Sequence, residues 1–119
     1  MGEPAKTFED LIAWQKAHEL VLSVYRVTRS FPKEEMFGLT SQIRRASISA
    51  PSNIVEGFNR WGADDKARFY NYAEASLEEV RYQLLLANDL GFADTTELQE
   101  RAKEAKRILH GYIKAVRTK

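Results

Sequence analysis

Apolar residues recur at alternating steps of three and four along almost the whole chain, and this spacing is the feature that most restricts its fold. Such steps place side chains on one stripe of an α-helix, whereas a half-buried strand needs strict alternation. The stripes are Ala13, Ala17, Leu20, Val24, Val27 and Phe31; Leu39, Ile43, Ala46, Ala50 and Ile54; Phe69, Ala73, Ser76, Val80, Leu84 and Ala87; and Leu98, Ala102, Ala105, Leu109, Tyr112 and Val116. The pattern predicts four amphipathic helices and no strands.

Turn-forming and capping residues separate the four segments and set the predicted helix limits. Pro32 disfavours a helical residue before it, so the first helix is expected at about residues 8–30. The third helix should begin near Asp64, a good N-cap residue, and stop at Gly91. Asp94 or Thr95 is expected to cap the fourth helix.

Short connections between long helices favour antiparallel neighbours, so the expected fold is all-α, an up-and-down antiparallel four-helix bundle. We expect one domain at residues 7–117, preceded by a flexible N-terminus at residues 1–6. Pro51 lies inside the second helix, where it removes a backbone donor at a cost of about 3 kcal/mol. A kink in the second helix is therefore predicted near residues 47–51.

Charge and cysteine content restrict the environment and the partners. Eighteen Lys and Arg residues against 17 Asp and Glu give a net charge of +1, so any attraction of a polyanion must come from a local patch. The chain has no cysteine, which fits a reducing compartment. No apolar run approaches the roughly 18 residues that a membrane span needs. We therefore expect a cytoplasmic protein without a membrane partner.

The second helix carries a second apolar set besides its core stripe. Ile48, Pro51 and Val55, again spaced by three and four, should project roughly opposite to the core stripe. One interpretation is that this face packs against another copy of the chain, since a bundle helix needs only one buried stripe. The other is that Pro51 rotates the helix so that both sets meet a single core.

A polar row follows the flank of the same helix and mixes donors, acceptors and both charge signs. Its members are Gln42, Arg45, Ser49, Ser52, Glu56 and Asn59. Such a row is typical of an ordinary solvated face. A buried network at a subunit boundary or a ligand-binding strip are the alternatives.

A basic row lies on the fourth helix, away from its apolar stripe. Its members are Lys103, Arg107, His110, Lys114 and Arg117. Rows of Lys and Arg contact the phosphates of RNA or DNA, and repetition around an oligomer would multiply their field. The alternative is a solvated face whose cations suit the C-terminal end of a helix dipole.

Sequence signals for catalysis are weak. His18 and His110 lie on different helices, and neither belongs to a histidine pattern typical of metal sites. The glycines Gly57 and Gly62 flank a turn that lacks the lysine and hydroxyl residue of a nucleotide-binding loop. We therefore predict no enzyme activity, no catalytic residue, no cofactor and no metal.

Five ordered sequence strings resemble a known bacterial family. They are FEDL with AWQKA at residues 8–17, FP at 31–32, FGLTSQIRRA at 37–46, NIVEG at 53–57 and ASLEE at 75–79. Together they resemble the four-helix-bundle family of proteins encoded in intervening sequences of 23S ribosomal RNA genes. The residues that match the family signature are Gln42, Arg45, Asn53, Glu56 and Gly57.

The resemblance implies an up-and-down bundle that assembles into a homopentamer, and a structural role for the signature. It implies little about chemistry, since the activity of the family is largely undefined. A related group serves as accessory proteins of diversity-generating retroelements, where they bind nucleic acid and a reverse transcriptase. We accordingly expect a non-enzymatic homo-oligomer that acts as a structural or interaction module; a module for binding RNA or DNA is the alternative.

Overall fold

Four α-helices make up most of the molecule. The computed structural model describes residues 4–118. Its α-helices are α1 (Ile12–Thr28), α2 (Leu39–Phe58), α3 (Ala63–Asp89) and α4 (Thr96–Arg117). Short 3-10 helices at Phe8–Asp10 and Lys33–Glu35 precede α1 and α2. No strand occurs between residues 4 and 118, and the predicted all-α class is confirmed.

The helices form a ring in which each packs against its neighbours in sequence and α1 closes against α4. Polar contacts show that the neighbours run antiparallel. The backbone N–H of Ala13, near the beginning of α1, donates to the hydroxyl of Tyr112 near the end of α4, at 3.3 Å. Arg44 in the first half of α2 donates to the hydroxyl of Thr28 at the end of α1, at 2.9 Å. The predicted up-and-down bundle is therefore confirmed.

One apolar core runs along the ring and receives side chains from every helix. Leu20, Ile54, Leu84 and Leu109, one from each helix, are fully buried. The predicted stripe of α2 is buried over its whole length, and that of α1 is buried except for the half-buried Val27. Burial of a leucine or isoleucine side chain contributes about 1.5–3 kcal/mol, so the apolar stripes stabilise the bundle as the spacing predicts.

The core stripe of α3 differs from the prediction in the first half of that helix. Phe69 and Ser76 are only half-buried, while Ala67, Tyr70 and Leu77 fill the core instead. A seven-residue repeat drifts by about 20° per heptad around a straight α-helix, and α3 is 27 residues long. A stripe anchored on the second half of α3 therefore misses the buried side of its first turns.

The N-terminal limit of the first helix was also predicted wrongly. Residues Phe8–Asp10 form a 3-10 helix, and Leu11 has an extended backbone before α1 begins at Ile12. The Asp10 carboxylate accepts the backbone N–H groups of Lys6 and Thr7, at 2.9 and 3.1 Å. These bonds stabilise a separate N-terminal turn. The flexibility predicted for residues 1–6 is untested, because residues 1–3 lie outside the described part, as does residue 119.

Helix α2 is continuous from Leu39 to Phe58 and passes through Pro51 without a break. The predicted kink stays a prediction.

Helix α3 ends at Gly91, as the sequence predicts. Gly91 has a φ of 77°, and the backbone N–H of Phe92 donates to the carbonyl of Ala87 at 2.9 Å. This arrangement is a usual helix termination by glycine. Within residues 4–118, no helix has the length and apolar character needed to cross a membrane.

Candidate interaction surfaces

The second apolar set of α2 divides into one buried and two accessible members. Ile48 is 43% exposed and Val55 is half-buried, but Pro51 is buried inside the chain. Pro51 follows Arg44 by seven residues and therefore lies on the same side of α2. That side faces α1, since the Arg44 guanidinium carbon lies 4.7 Å from the centre of the Tyr25 ring. The expectation that Pro51 projects away from the core is thus corrected.

Beyond Ile48, the accessible apolar surface continues to the loop before α2. The side chain of Phe37 is 96% exposed, and Met36 beside it is half exposed. Phe37, Tyr25, Arg44 and Ile48 all line a surface depression of about 380 Å³. Sequence analysis missed Phe37 as a surface residue, because only the tertiary structure shows that an aromatic residue in this loop contributes nothing to the core.

Two signature residues, Gln42 and Arg45, line a second depression on the other side of Phe37, together with Glu79 of α3. Its volume is about 550 Å³. Within residues 4–118, neither Arg45 nor Glu79 has an oppositely charged group within 4 Å. Both charges are thus available to a partner of this surface.

A third signature residue, Asn53, has an internal structural role. Its side-chain amide donates to the backbone carbonyl of Ser49 at 2.9 Å and to the Ser49 hydroxyl at 3.1 Å. The Ser49 and Ser76 hydroxyls are 2.9 Å apart and join α2 to α3. Of the polar row, Ser49 takes part in this network between two helices, while the other members are exposed, as expected of a solvated face: Gln42, Arg45, Ser52, Glu56 and Asn59.

Gly57 permits a close approach between α2 and the Tyr70 ring of α3. A β-carbon built at this position would lie 2.6 Å from Cε1 of Tyr70, closer than two carbon atoms can approach. Burial raises the pKa of the Tyr70 hydroxyl, with a smaller contribution from Tyr112. Gly57 and Tyr70 thus fix the spacing of the two helices.

The last signature residue, Glu56, pairs with Arg60 at 3.2 Å on the surface.

The basic row of α4 is partly neutralised. Lys103 lies 3.3 Å from Glu100 of the same helix, and His110 lies 2.9 Å from Glu74 of α3. Three other members have no carboxylate within 4 Å among residues 4–118: Arg107, Lys114 and Arg117. The free positive charge of the row is therefore concentrated toward the end of α4.

A groove of about 550 Å³ between α3 and α4 contains a further cation that the predicted row omitted. Lys106 donates to Glu78 of α3 at 2.7 Å, and Arg81 binds the same carboxylate. Arg81 and, next, Lys106 hold the pKa of Glu78 below its usual range. The groove thus contains a cross-helix ion-pair network, and it is also lined by three members of the basic row, Lys103, Arg107 and His110.

Residues with metal-binding or acid-base side chains are scattered. Within residues 4–118, no group of three His, Asp or Glu side chains is close enough to hold a metal ion. The ring of His18 stacks on Trp14 with centroids 4.8 Å apart. His18 therefore packs against the side chain one turn before it on α1.

A comparison with models of known protein families identifies the family of the chain. The model of the 23S rRNA-intervening sequence protein family matches residues 9–112. The chain belongs to this family. The biochemical role of the family is unknown. A search of curated proteins finds no match to the chain.

Proposed function

We propose that the chain is a non-enzymatic interaction module that assembles into a homo-oligomer through the outer face of α2. A pentamer is the assembly that the family resemblance favours. The observation that carries the proposal is the accessible apolar surface formed by Met36, Phe37 and Ile48 around the depression beside Arg44. A contiguous apolar patch on the surface of a globular protein commonly marks an interaction site.

The core of the single chain supports the same proposal. The core already receives a full stripe from each helix, so the bundle does not need Phe37 or Ile48 for its own packing. Removing each of these side chains from water would contribute up to about 1.5–3 kcal/mol to association. A second copy of the chain is the simplest partner, because most water-soluble oligomers are symmetric assemblies of one chain.

Light scattering coupled to size-exclusion chromatography tests the proposal. We expect a native mass of five times the chain mass of 13.7 kDa. Replacing Ile48 and Val55 by aspartate should release folded monomers, because an unpaired charge in a packed interface is costly. The matched control is Leu85→Asp on α3, where the leucine is 39% exposed, and this variant should keep the assembly. A native mass unchanged by Ile48→Asp/Val55→Asp would refute the interface.

Binding of RNA or DNA through the basic row of α4 is the second candidate. The specific support is the charge of Arg107, Lys114 and Arg117, none of which has a carboxylate within 4 Å in the described part of the chain. Each phosphate contact contributes a slope of about −0.7 to −0.9 to the dependence of log affinity on log salt.

Glutamine substitutions in the row test this candidate. Changing Lys103, Arg107, Lys114 and Arg117 to glutamine should weaken binding and reduce its salt dependence. His110 pairs with Glu74, so His110→Gln should have a smaller effect. The control carries Arg29→Gln and Lys33→Gln, which remove cations elsewhere on the bundle. Equal affinity of both sets of variants at every salt concentration would exclude the row.

A further inference from the structure

The groove between α3 and α4 holds more cations than carboxylates. Its volume of about 550 Å³ is within the range of about 300–1,000 Å³ that is typical of small-molecule sites. Four cations and two carboxylates line it: Arg81, Lys103, Lys106, Arg107, Glu74 and Glu78. When the imidazole of His110, which also lines the groove, is neutral, four positive and two negative charges leave a net charge of +2. Glu100, which lies 3.3 Å from Lys103, compensates only one of these two charges.

Glu78 holds two of the cations in place and leaves some of their donors free. One of its carboxylate oxygens accepts from Nε of Arg81 at 2.7 Å and from Nη2 of the same side chain. The other oxygen accepts from the Lys106 ammonium at 2.7 Å. A guanidinium has five N–H donors and an ammonium has three, so Arg81 and Lys106 keep donors that Glu78 does not occupy. Because these side chains are already held, a ligand that binds them costs less side-chain entropy.

Arg107 adds a cation that has no internal partner. Among residues 4–118, no carboxylate lies within 4 Å of its guanidinium. It follows Lys103 by four residues, so the two side chains lie on the same face of α4. A guanidinium can donate two parallel hydrogen bonds to one phosphate group. Arg107 is therefore the cation of the groove that is most available to an anion from outside the chain.

Glu74 limits the positive charge on the α3 side of the groove. Its side chain is only 13% exposed, and its carboxylate lies 2.9 Å from Nδ1 of His110. A negative charge this close to the cations weakens their attraction for an anion. The excess positive charge is thus confined to a short part of the groove and does not extend along the whole of α3.

We propose that this groove binds the phosphate group of a small molecule, as inorganic phosphate or a phosphomonoester. The phosphate oxygens accept hydrogen bonds from Arg107 and from the free donors of Lys106 and Arg81. A phosphate dianion matches the formal charge of +2 and has enough oxygens to accept from both helices at once. The inference goes beyond both functions proposed above, because Arg81 and Lys106 belong to neither the α2 face nor the basic row of α4.

Isothermal titration calorimetry of the full-length chain with inorganic phosphate tests the site. The titration is made at about pH 8, where phosphate is mainly the dianion, and at constant ionic strength set with sodium chloride. We expect saturable binding. Arg107→Gln should weaken it about 10- to 100-fold, because hydrogen bonds between charged groups are lost. The matched control is Arg117→Gln, which removes another arginine of α4 without a carboxylate partner but outside the groove, and it should keep the affinity.

A second variant is expected to change the affinity in the opposite direction. Glu74→Gln removes a negative charge from the groove and keeps the shape of the side chain, so phosphate should bind at least about 3-fold more tightly. Loss of folded structure does not produce such a gain. An unchanged or weaker affinity in Glu74→Gln would contradict a phosphate bound beside this residue.

The remaining outcomes separate the groove from the nucleic-acid candidate. Equal weakening by Arg107→Gln and Arg117→Gln would assign the binding to the diffuse field of α4 and overturn the site. Absence of saturable phosphate binding also overturns it, whereas the basic row is tested separately by RNA affinity. In a competition arm, adenosine 5′-monophosphate should displace inorganic phosphate, and a short RNA without terminal phosphates should not. Displacement by that RNA would assign the groove to backbone phosphates and overturn the small-molecule ligand.

Discussion

The contact between Gly57 and Tyr70 gives the sharpest prediction about stability. In Gly57→Ala, the new methyl group would lie 2.6 and 2.7 Å from two ring carbons of Tyr70 and 3.2 Å from the backbone carbonyl oxygen of Lys66. Favourable carbon-carbon separations are about 3.5–4.0 Å, so the two helices must separate or the ring must move by about 1 Å. Overpacking of this size costs about 1–3 kcal/mol.

Replacing a helical glycine by alanine also has a stabilising effect, and a second glycine of the chain measures that effect without a steric clash. Replacing glycine by alanine inside a helix is worth up to about 1 kcal/mol of stability. Gly111 lies inside α4, and a β-carbon there would meet nothing within 4 Å. Gly111→Ala should therefore stabilise the bundle by up to that amount, and Gly57→Ala should be less stable than Gly111→Ala by about 1–3 kcal/mol.

Urea unfolding at fixed protein concentration measures both variants, because oligomerisation would make the midpoint depend on concentration. The double variant Gly57→Ala/Tyr70→Leu tests the mechanism. If the Tyr70 ring is the obstacle, the double variant should lose less free energy of unfolding than the sum of the losses in the two single variants. Gly57→Ala as stabilising as Gly111→Ala would refute the account of the signature glycine.

Three further predictions concern single polar groups. Tyr112→Phe removes the acceptor for the Ala13 backbone N–H and should lower the free energy of unfolding by about 0.5–1.5 kcal/mol in denaturant titrations; no change would show that water replaces the bond. Gln83 is buried and its side-chain oxygen has no hydrogen-bond partner, so Gln83→Leu should stabilise the bundle by about 1 kcal/mol, and a clear loss of stability would contradict this. The pKa of Glu78 is lowered in the folded chain, so its ion pairs stabilise fully above the ordinary glutamate range and are lost as the pH falls through the lowered pKa. Between neutral and acidic pH, wild type should therefore lose more stability than Glu78→Gln in thermal melts, and parallel pH profiles would reject the assignment.

The fold was largely predictable because helical spacing is a local property. The stripes of α1 and α2 correspond closely to buried residues, and Gly91 ends α3 as a C-terminal glycine does. The first half of α3 was mispredicted because the buried side of a helix drifts when its length exceeds a few heptads. There, Tyr70 is in the core because Gly57 lets α3 approach α2.

The candidate surfaces were predictable only in part. The basic row on α4 follows from spacing, but the contact of His110 with Glu74 depends on another helix. The separate fates of Ile48 and Pro51 depend on the position of α1, which spacing along α2 does not encode. Sequence patterns identify a face of a helix, but they do not say what lies opposite.

By itself, the sequence determined four helices, their antiparallel order and the family to which the chain belongs. The reason is that apolar spacing, turn residues and ordered motifs act within a few residues of one another. Only the tertiary structure decided which cations remain unpaired, how Gly57 sets the helix spacing and where Phe37 and Trp61 stand exposed. Those properties depend on the register between helices that are distant in sequence, and packing of the whole core sets that register.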